Sequence, residues 1–190
     1  MMEDAMSKEK RKCHSGTTKS KTTALKLKEQ ISKYIEKTTL LLEEKLKEGK
    51  DFIIDVTTDK CSFKSYCKKY GELNGAVYIF YLKENINFAK DKNRFFKIGR
   101  VGPKSTARFD GHHYNPKSCG SNLAKSILKA KSSLGFRQIN DIGNFIRNNF
   151  IRINILFLKS SPEFSNELVE ALLHYRYKPL FEGFLSQRKD

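Results

Sequence analysis

Ala76-Val77-Tyr78-Ile79-Phe80-Tyr81-Leu82 and, across the polar connector Lys83 to Asn93, Arg94-Phe95-Phe96-Lys97-Ile98-Gly99-Arg100-Val101 decide how this chain folds. β-branched and aromatic residues suit the pleated, half-buried surface of a sheet. Two such runs predict a pair of antiparallel strands. Gly71 and Gly75 mark a boundary ahead of them. Further on, Phe150-Ile151-Arg152-Ile153-Asn154-Ile155-Leu156-Phe157-Leu158 reads as a third strand, central because its second half is almost continuously apolar. Ser105 is placed to cap a short helix through Arg108, and Ser121 a second through Leu123, Ile127 and Leu128. Ser161-Pro162 opens a last helix with Leu168, Ala171, Leu172 and Tyr175 on its apolar face, Glu170 within it and Pro179 as its stop.

Upstream, Met1 to Thr23 is Lys, Ser and Thr with almost no bulky apolar side chain, and reads as a disordered basic tail. Leu27, Ile31, Tyr34, Ile35, Leu41, Leu42 and Leu46 recur at three- and four-residue steps between Ala24 and Glu48, an amphipathic helix that Gly49 is placed to end. Its stripe fits packing on the parent core and leaves room for a homodimer. In Asp51 to Leu73, the run Phe52, Ile53, Ile54, Val56 suggests a strand, and Phe63, Tyr66, Cys67, Tyr70 a helical face. The expected organisation is a tail (1–23), a helical extension (24–70) and one main domain (71–190). The fold class is α+β, with a small, mostly antiparallel three-stranded sheet flanked by helices.

The 190 residues suffice for one ordinary domain. Hydrophobic residues make up 38% and aromatic residues 12%, enough to build a core, while the mean hydropathy of −0.59 puts heavy ionisation on the surface. The net charge of +16 implies a polyanionic partner. With the aromatic content it points to nucleic acid rather than to a merely solvated basic surface or a ribosome-associated protein. Cys13, Cys61, Cys67 and Cys119 form no C-x-x-C pair, which fits a reducing cytoplasm. His112-His113 with Cys119, or Cys61 with Cys67, raises zinc, but no second pair has the usual short ligand spacing. Met1 to Lys12 lacks the apolar stretch of a secretory leader, and no run of about 18 apolar residues occurs, so a membrane partner is not expected.

Val77-Tyr78-Ile79, then Lys97-Ile98-Gly99, then Arg108, then a helical Glu170 form an ordered set. That set resembles the signature of the GIY-YIG nuclease superfamily, in which two strand motifs are followed by an Arg on the next helix and a Glu on a later one. Glu170 followed by Leu172-Leu173 and by Pro179 nine places on resembles the family's Glu helix. Arg108-Phe109-Asp110-Gly111-His112 is similar to the Arg-Phe-x-x-His variant of some restriction enzymes. Lys97 stands where the second motif usually has Tyr, as in some restriction-type members, and Glu182 where an Asn often follows the Pro. The resemblance, which spans Gly75 to Gly183, implies a Mg²⁺-dependent endonuclease of double-stranded DNA, with Mn²⁺ as a substitute, closest in style to type II restriction enzymes. Repair, homing or phage-type nucleases on the same scaffold, and a catalytically silent nucleic-acid-binding protein, are the alternatives.

The residue types suit the chemistry. Phosphodiester hydrolysis needs an activated water, neutralised phosphate oxygens and help for the leaving oxygen. Glu170 suits a hard Mg²⁺, which binds through one or two carboxylates. Arg108 matches two phosphate oxygens and stays charged. Tyr78 is the expected base, helped by Lys97 or Arg100 and by His112, which could take the proton itself. Arg100, Lys104, His113, Lys125 and Lys129 are the candidate contacts to the DNA backbone.

Overall fold

The computed structural model describes residues 16–46, 52–57, 62–88, 93–104, 106–118, 122–136 and 138–181. The sequence expectations for Met1 to Ser15, Gly49, Ser105, Ser121, three of the cysteines and Glu182 lie outside these residues. The helix α1 spans Gly16–Leu46. It begins eight residues before the expected start at Ala24, inside the segment read as tail. After it come β1 (Phe52–Thr57), α2 (Phe63–Tyr70), β2 (Leu73–Leu82), β3 (Phe95–Val101) and α3 (Thr106–Asp110). A 3₁₀ turn (His112–Tyr114) leads into α4 (Leu123–Ala130), α5 (Ile142–Asn149), β4 (Phe150–Leu158) and α6 (Ser165–Tyr177).

The four strands form one antiparallel sheet in the order β1-β4-β2-β3. The hairpin of β2 and β3 and the central place of β4 follow from their hydrophobic runs. The fourth strand is a correction: β1 pairs with β4 from Phe52↔Phe157 to Thr57↔Arg152, so the sheet draws on the stretch expected to be a helical extension.

Local chemistry sets the helix ends. The Ser62 hydroxyl accepts the Ser65 N–H at 3.1 Å to start α2, and Gly71, at φ 87°, adopts a left-handed turn that would strain other residues. Asn122, rather than the Ser121 expected from sequence, caps α4 by accepting the Lys125 N–H at 2.7 Å. Asp141 does the same for α5, a helix the sequence reading passed over. The last helix starts at Ser165 rather than at Ser161-Pro162, because Phe164 takes a left-handed φ of 65° and breaks the turn. Beyond α6 the Leu180 and Phe181 N–H groups donate to Phe95 and Phe96 carbonyls, which covers the edge of β3.

Both sheet faces are covered. On one, Tyr78 and Phe80 pack with Phe63, Phe109, Leu123, Ile127 and Ile146 under α2 to α5. On the other, Val77, Ile79, Ile98 and Ile153 pack with Leu27, Ile31 and Ile35 of α1 and Leu173 of α6. So α1 is part of the core. Truncating Ile153 to Ala leaves a cavity in this second layer and is expected to cost about 2–5 kcal/mol. Leu25→Ala on α1, at a side chain 63% exposed, is expected to stay within about 0.5 kcal/mol. Urea denaturation of the two variants checks both values.

Candidate active site

Side chains directly opposite in an antiparallel pair share a face. Tyr78 of β2 faces Gly99 on one side and Asn154 of β4 on the other, and Asn154 in turn faces Asp55 of β1. One step along the sheet, Phe80 lies between Lys97 and Arg152. Two rows with polar members therefore cross a face that is otherwise apolar.

Gly99 makes room for the tyrosine. A Cβ there would stand 2.5 Å from the Tyr78 Oη and 2.7 Å from its Cζ, so the ring can lie against β3 only because position 99 has no side chain. The glycine of Lys97-Ile98-Gly99 is thus a steric requirement of Tyr78. Gly99→Ala must push the ring aside and is expected to cost about 1–3 kcal/mol. Gly102→Ala, which meets open space, is the matched control in the same denaturation series.

His113 holds the phenol from the opposite side. Its Nε2 is 2.8 Å from the Tyr78 Oη, and its Nδ1 accepts the Leu123 N–H at 3.3 Å. Leu123 is the first residue of α4, so a backbone amide and the positive end of the helix both face Nδ1. With Nδ1 accepting, the neutral imidazole carries its proton on Nε2 and donates to Tyr78. Burial pushes His113 well below its ordinary value of 6.5, and the charges of Lys97, Arg152, Arg108 and His112 push the same way. The expected surface contact of His113 with DNA is therefore corrected: at 1% exposure it is a partner of Tyr78.

His112, the residue matched to the Arg-Phe-x-x-His pattern, is half-buried and close enough for its charge to act on His113. The 3₁₀ turn explains the exchange, because successive residues there point roughly 120° apart and only one of the two can face the sheet.

Arg152 and Asn154 are buried at the centre. The Arg152 Nε donates to the Asn154 Oδ1 at 2.9 Å. The Asn154 Nδ2 donates to the Tyr66 oxygen at 3.1 Å, and the Tyr66 O–H donates to Asp55. The Arg152 guanidinium lies 4.1 Å above the Phe109 ring and 5.6 Å from the ring centres of Tyr78 and Phe80. Sequence reasoning passed over both residues, although two polar residues in alternation on an otherwise apolar central strand are a visible signal.

α3 is anchored by Phe109, which packs edge-on to Phe63, Tyr66 and Tyr78. Asp110 adds a hydrogen bond from the Phe63 N–H at 2.6 Å. This anchoring leaves Arg108 exposed at the rim, where its charge pulls the Tyr78 phenol down. Burial is the largest influence and raises the phenol, Glu170 adds to it, and together they outweigh Arg108 and Arg152, so Tyr78 sits far above its ordinary value and carries its proton.

Lys97 is buried at 5% exposure and acts electrostatically on His113. Glu170 of α6 accepts from the Arg100 Nε at 2.9 Å and has His174 at 3.9 Å. The Arg100 Nη1 also meets Glu167 at 2.6 Å. Arg100 therefore bridges two carboxylates instead of standing free for phosphate. Burial raises Glu170 from its ordinary value and Glu167 adds to the rise, while His174 and Arg100 pull it down. Lys104, Lys125 and Lys129 are exposed, as backbone contacts require.

The unfolded chain protonates His113 near its ordinary value, whereas the folded one does so only at lower pH. Its contribution to stability is therefore complete above that value and falls as the pH drops from there towards the folded-state pKa. The stability gap between wild type and His113→Gln should narrow as the pH is lowered from 7 towards 5 (roughly the window set by the ordinary histidine pKa). Urea titrations of both proteins across that range read it. Comparison of the chain with family models, curated proteins and solved structures finds no match.

Proposed function

We propose that the chain is a metal-dependent endonuclease that hydrolyses phosphodiester bonds in double-stranded DNA. The observation that supports this most is the hydrogen bond between His113 and Tyr78 beside Gly99, with the charges of Arg108 and Glu170 reaching the phenol. The order Tyr78, Lys97-Ile98-Gly99, Arg108, Glu170 that resembles GIY-YIG nucleases adds to it. The net charge of +16 and the exposed lysines suit a polyanion.

In this reading Arg108 grips the scissile phosphate from the rim and balances the charge that grows on its oxygens. Tyr78 first gives its proton to solvent; a water oxygen then forms a bond to phosphorus, the bond from phosphorus to the leaving oxygen breaks, the water's proton passes to the Tyr78 phenolate, and the leaving oxygen takes a proton from solvent. His113 donates to that same oxygen and so orients its lone pairs and steadies negative charge on it. Tyr78 is 1% exposed, so the attacking water must reach its oxygen from the rim that carries Arg108, with His113 and Phe109 kept in place.

The donor set fits a hard divalent ion. Among the described residues no three His, Cys, Asp or Glu side chains form a closed cage. Mg²⁺ and Mn²⁺ sites on nucleases need only one or two carboxylates plus water and phosphate, which Glu170 and Glu167 can supply. Bound there, the ion would place positive charge by the phosphate oxygens and cancel the one charge that opposes Tyr78 ionisation. Within this class, Lys97-Ile98-Gly99 favours a restriction-type enzyme acting in the cytoplasm, and cutting both strands suits a homodimer. Among the described residues no helix is long and apolar enough to cross a membrane.

A non-catalytic nucleic-acid-binding protein is the second reading, favoured by the Arg100 bridge across Glu170 and the burial of Tyr78. Incubation with unmethylated phage DNA and Mg²⁺ separates the two. Discrete fragments are expected from wild type, with rates lower by about 10²–10³-fold in Arg108→Ala and Glu170→Gln. Undiminished cutting by both variants would remove the site assignment. Salt-sensitive binding without cleavage at any Mg²⁺ concentration would establish the second reading.

A further inference from the structure

The side chain of Arg152 is 2% exposed, and its two terminal nitrogens are buried without a hydrogen-bond partner among the described residues. Arginine stays charged in proteins, so this is a standing cation inside the core. Its one hydrogen bond, from Nε to Asn154, leads to the Asp55 carboxylate only through the neutral Asn154 and Tyr66 groups. A buried charge with no salt bridge among the described residues is costly, and a negative charge developing beside it would offset that cost. The aromatic faces of Phe109, Tyr78 and Phe80 offset part of that cost and fix the plane of the guanidinium.

We propose that Arg152 is a positioning residue for Tyr78: pinned by Asn154 and seated against the rings of Phe109, Tyr78 and Phe80, its guanidinium is the buried counter-charge of the Tyr78 phenolate. The inference rests on the reading of Tyr78 as the base. Other groups act on that phenol from each neighbouring element. Arg108 from α3 also favours the phenolate, Glu170 from α6 opposes it, and His113 from the 3₁₀ turn donates a hydrogen bond. Lys97, on β3, acts on His113. Arg108 is exposed, so water screens it and a bound phosphate takes up its charge. Arg152 is beyond the reach of both, so its effect persists when DNA is bound. It neither gains nor loses a proton: the phenolate takes one from the attacking water, and the phenol later returns it to solvent.

The test replaces Tyr78 with a fluorinated tyrosine, whose phenol is more acidic, and follows its titration by fluorine NMR in the full chain. Arg152→Met is expected to raise the titration midpoint by about one unit or more, and Arg152→Lys by less than half of that. The pH–rate profile of single-turnover DNA cleavage should move in parallel, with a loss of about tenfold at neutral pH in Arg152→Met that a higher pH recovers. DNA affinity should not change. A role confined to stacking on Phe109 would not be rescued by the Lys variant and would leave the midpoint in place. An unmoved midpoint in folded Arg152→Met, or in Arg152→Lys and Arg152→Met alike, overturns the proposal. If Arg152→Met fails to fold, a midpoint for Arg152→Lys raised as far as that of Arg152→Gln overturns it instead. Absence of cleavage by wild type would defeat the nuclease reading, while the fluorine titration still measures the coupling to Arg152.

Discussion

A sheet covered on both faces leaves no water for the side chains at its centre, so a polar group there is answered by protein or is left at a cost. This constraint organises the molecule around β4. Asn154 is the junction: it accepts from Arg152, donates to Tyr66 and stands opposite Tyr78 and Asp55. Through Tyr66 the row ties α2 to the sheet, and through Phe109 under the guanidinium it seats α3. Linked in this way, the buried polar row fixes the register of the central strands, because a one-residue slip would put Arg152 and Asn154 on the other face. That face is occupied by Ile31, Ile35 and Leu173.

The same row places a phenol where its chemistry can be tuned. Gly99 lets the Tyr78 ring approach β3, the first amide of α4 fixes the proton of His113, and that proton points at the Tyr78 oxygen. The strands β2 and β3 hold Tyr78 and Gly99. The cover over them is short, a five-residue helix and a three-residue turn, and its side chain at the rim is Arg108.

Much of the fold was legible in the sequence. β2, β3 and β4 were visible as β-branched and aromatic runs, and the stripe from Leu27 to Ile35 marked the buried face of α1. Other features depended on contacts that periodicity does not encode. The run Phe52 to Val56 reads as a strand, but only its pairing with β4 makes it a fourth member of the sheet. α5 is eight residues long, with polar Asn144, Arg147 and Asn148 outside, too short for its period to stand out. Pro162 suggested a helix start, but the left-handed Phe164 moved it to Ser165. In the site, Tyr78, Arg108 and Glu170 were named from their order along the chain. The choice of His113 over His112 was hidden, because the rotation of a 3₁₀ turn decides it. Arg152 and Asn154 were overlooked although their alternation on a central strand was in plain sight.

In the proposed nuclease chemistry the phenolate oxygen of Tyr78 takes the proton of the attacking water. Tyr78→Phe keeps the ring beside Gly99 and removes only that oxygen. Single-turnover cleavage of duplex DNA with Mg²⁺, alongside binding with Ca²⁺ in its place, isolates its contribution. The account predicts unchanged DNA affinity with cleavage slower by on the order of 10²-fold or more. A Tyr78→Phe protein that binds and cuts at the wild-type rate would contradict it.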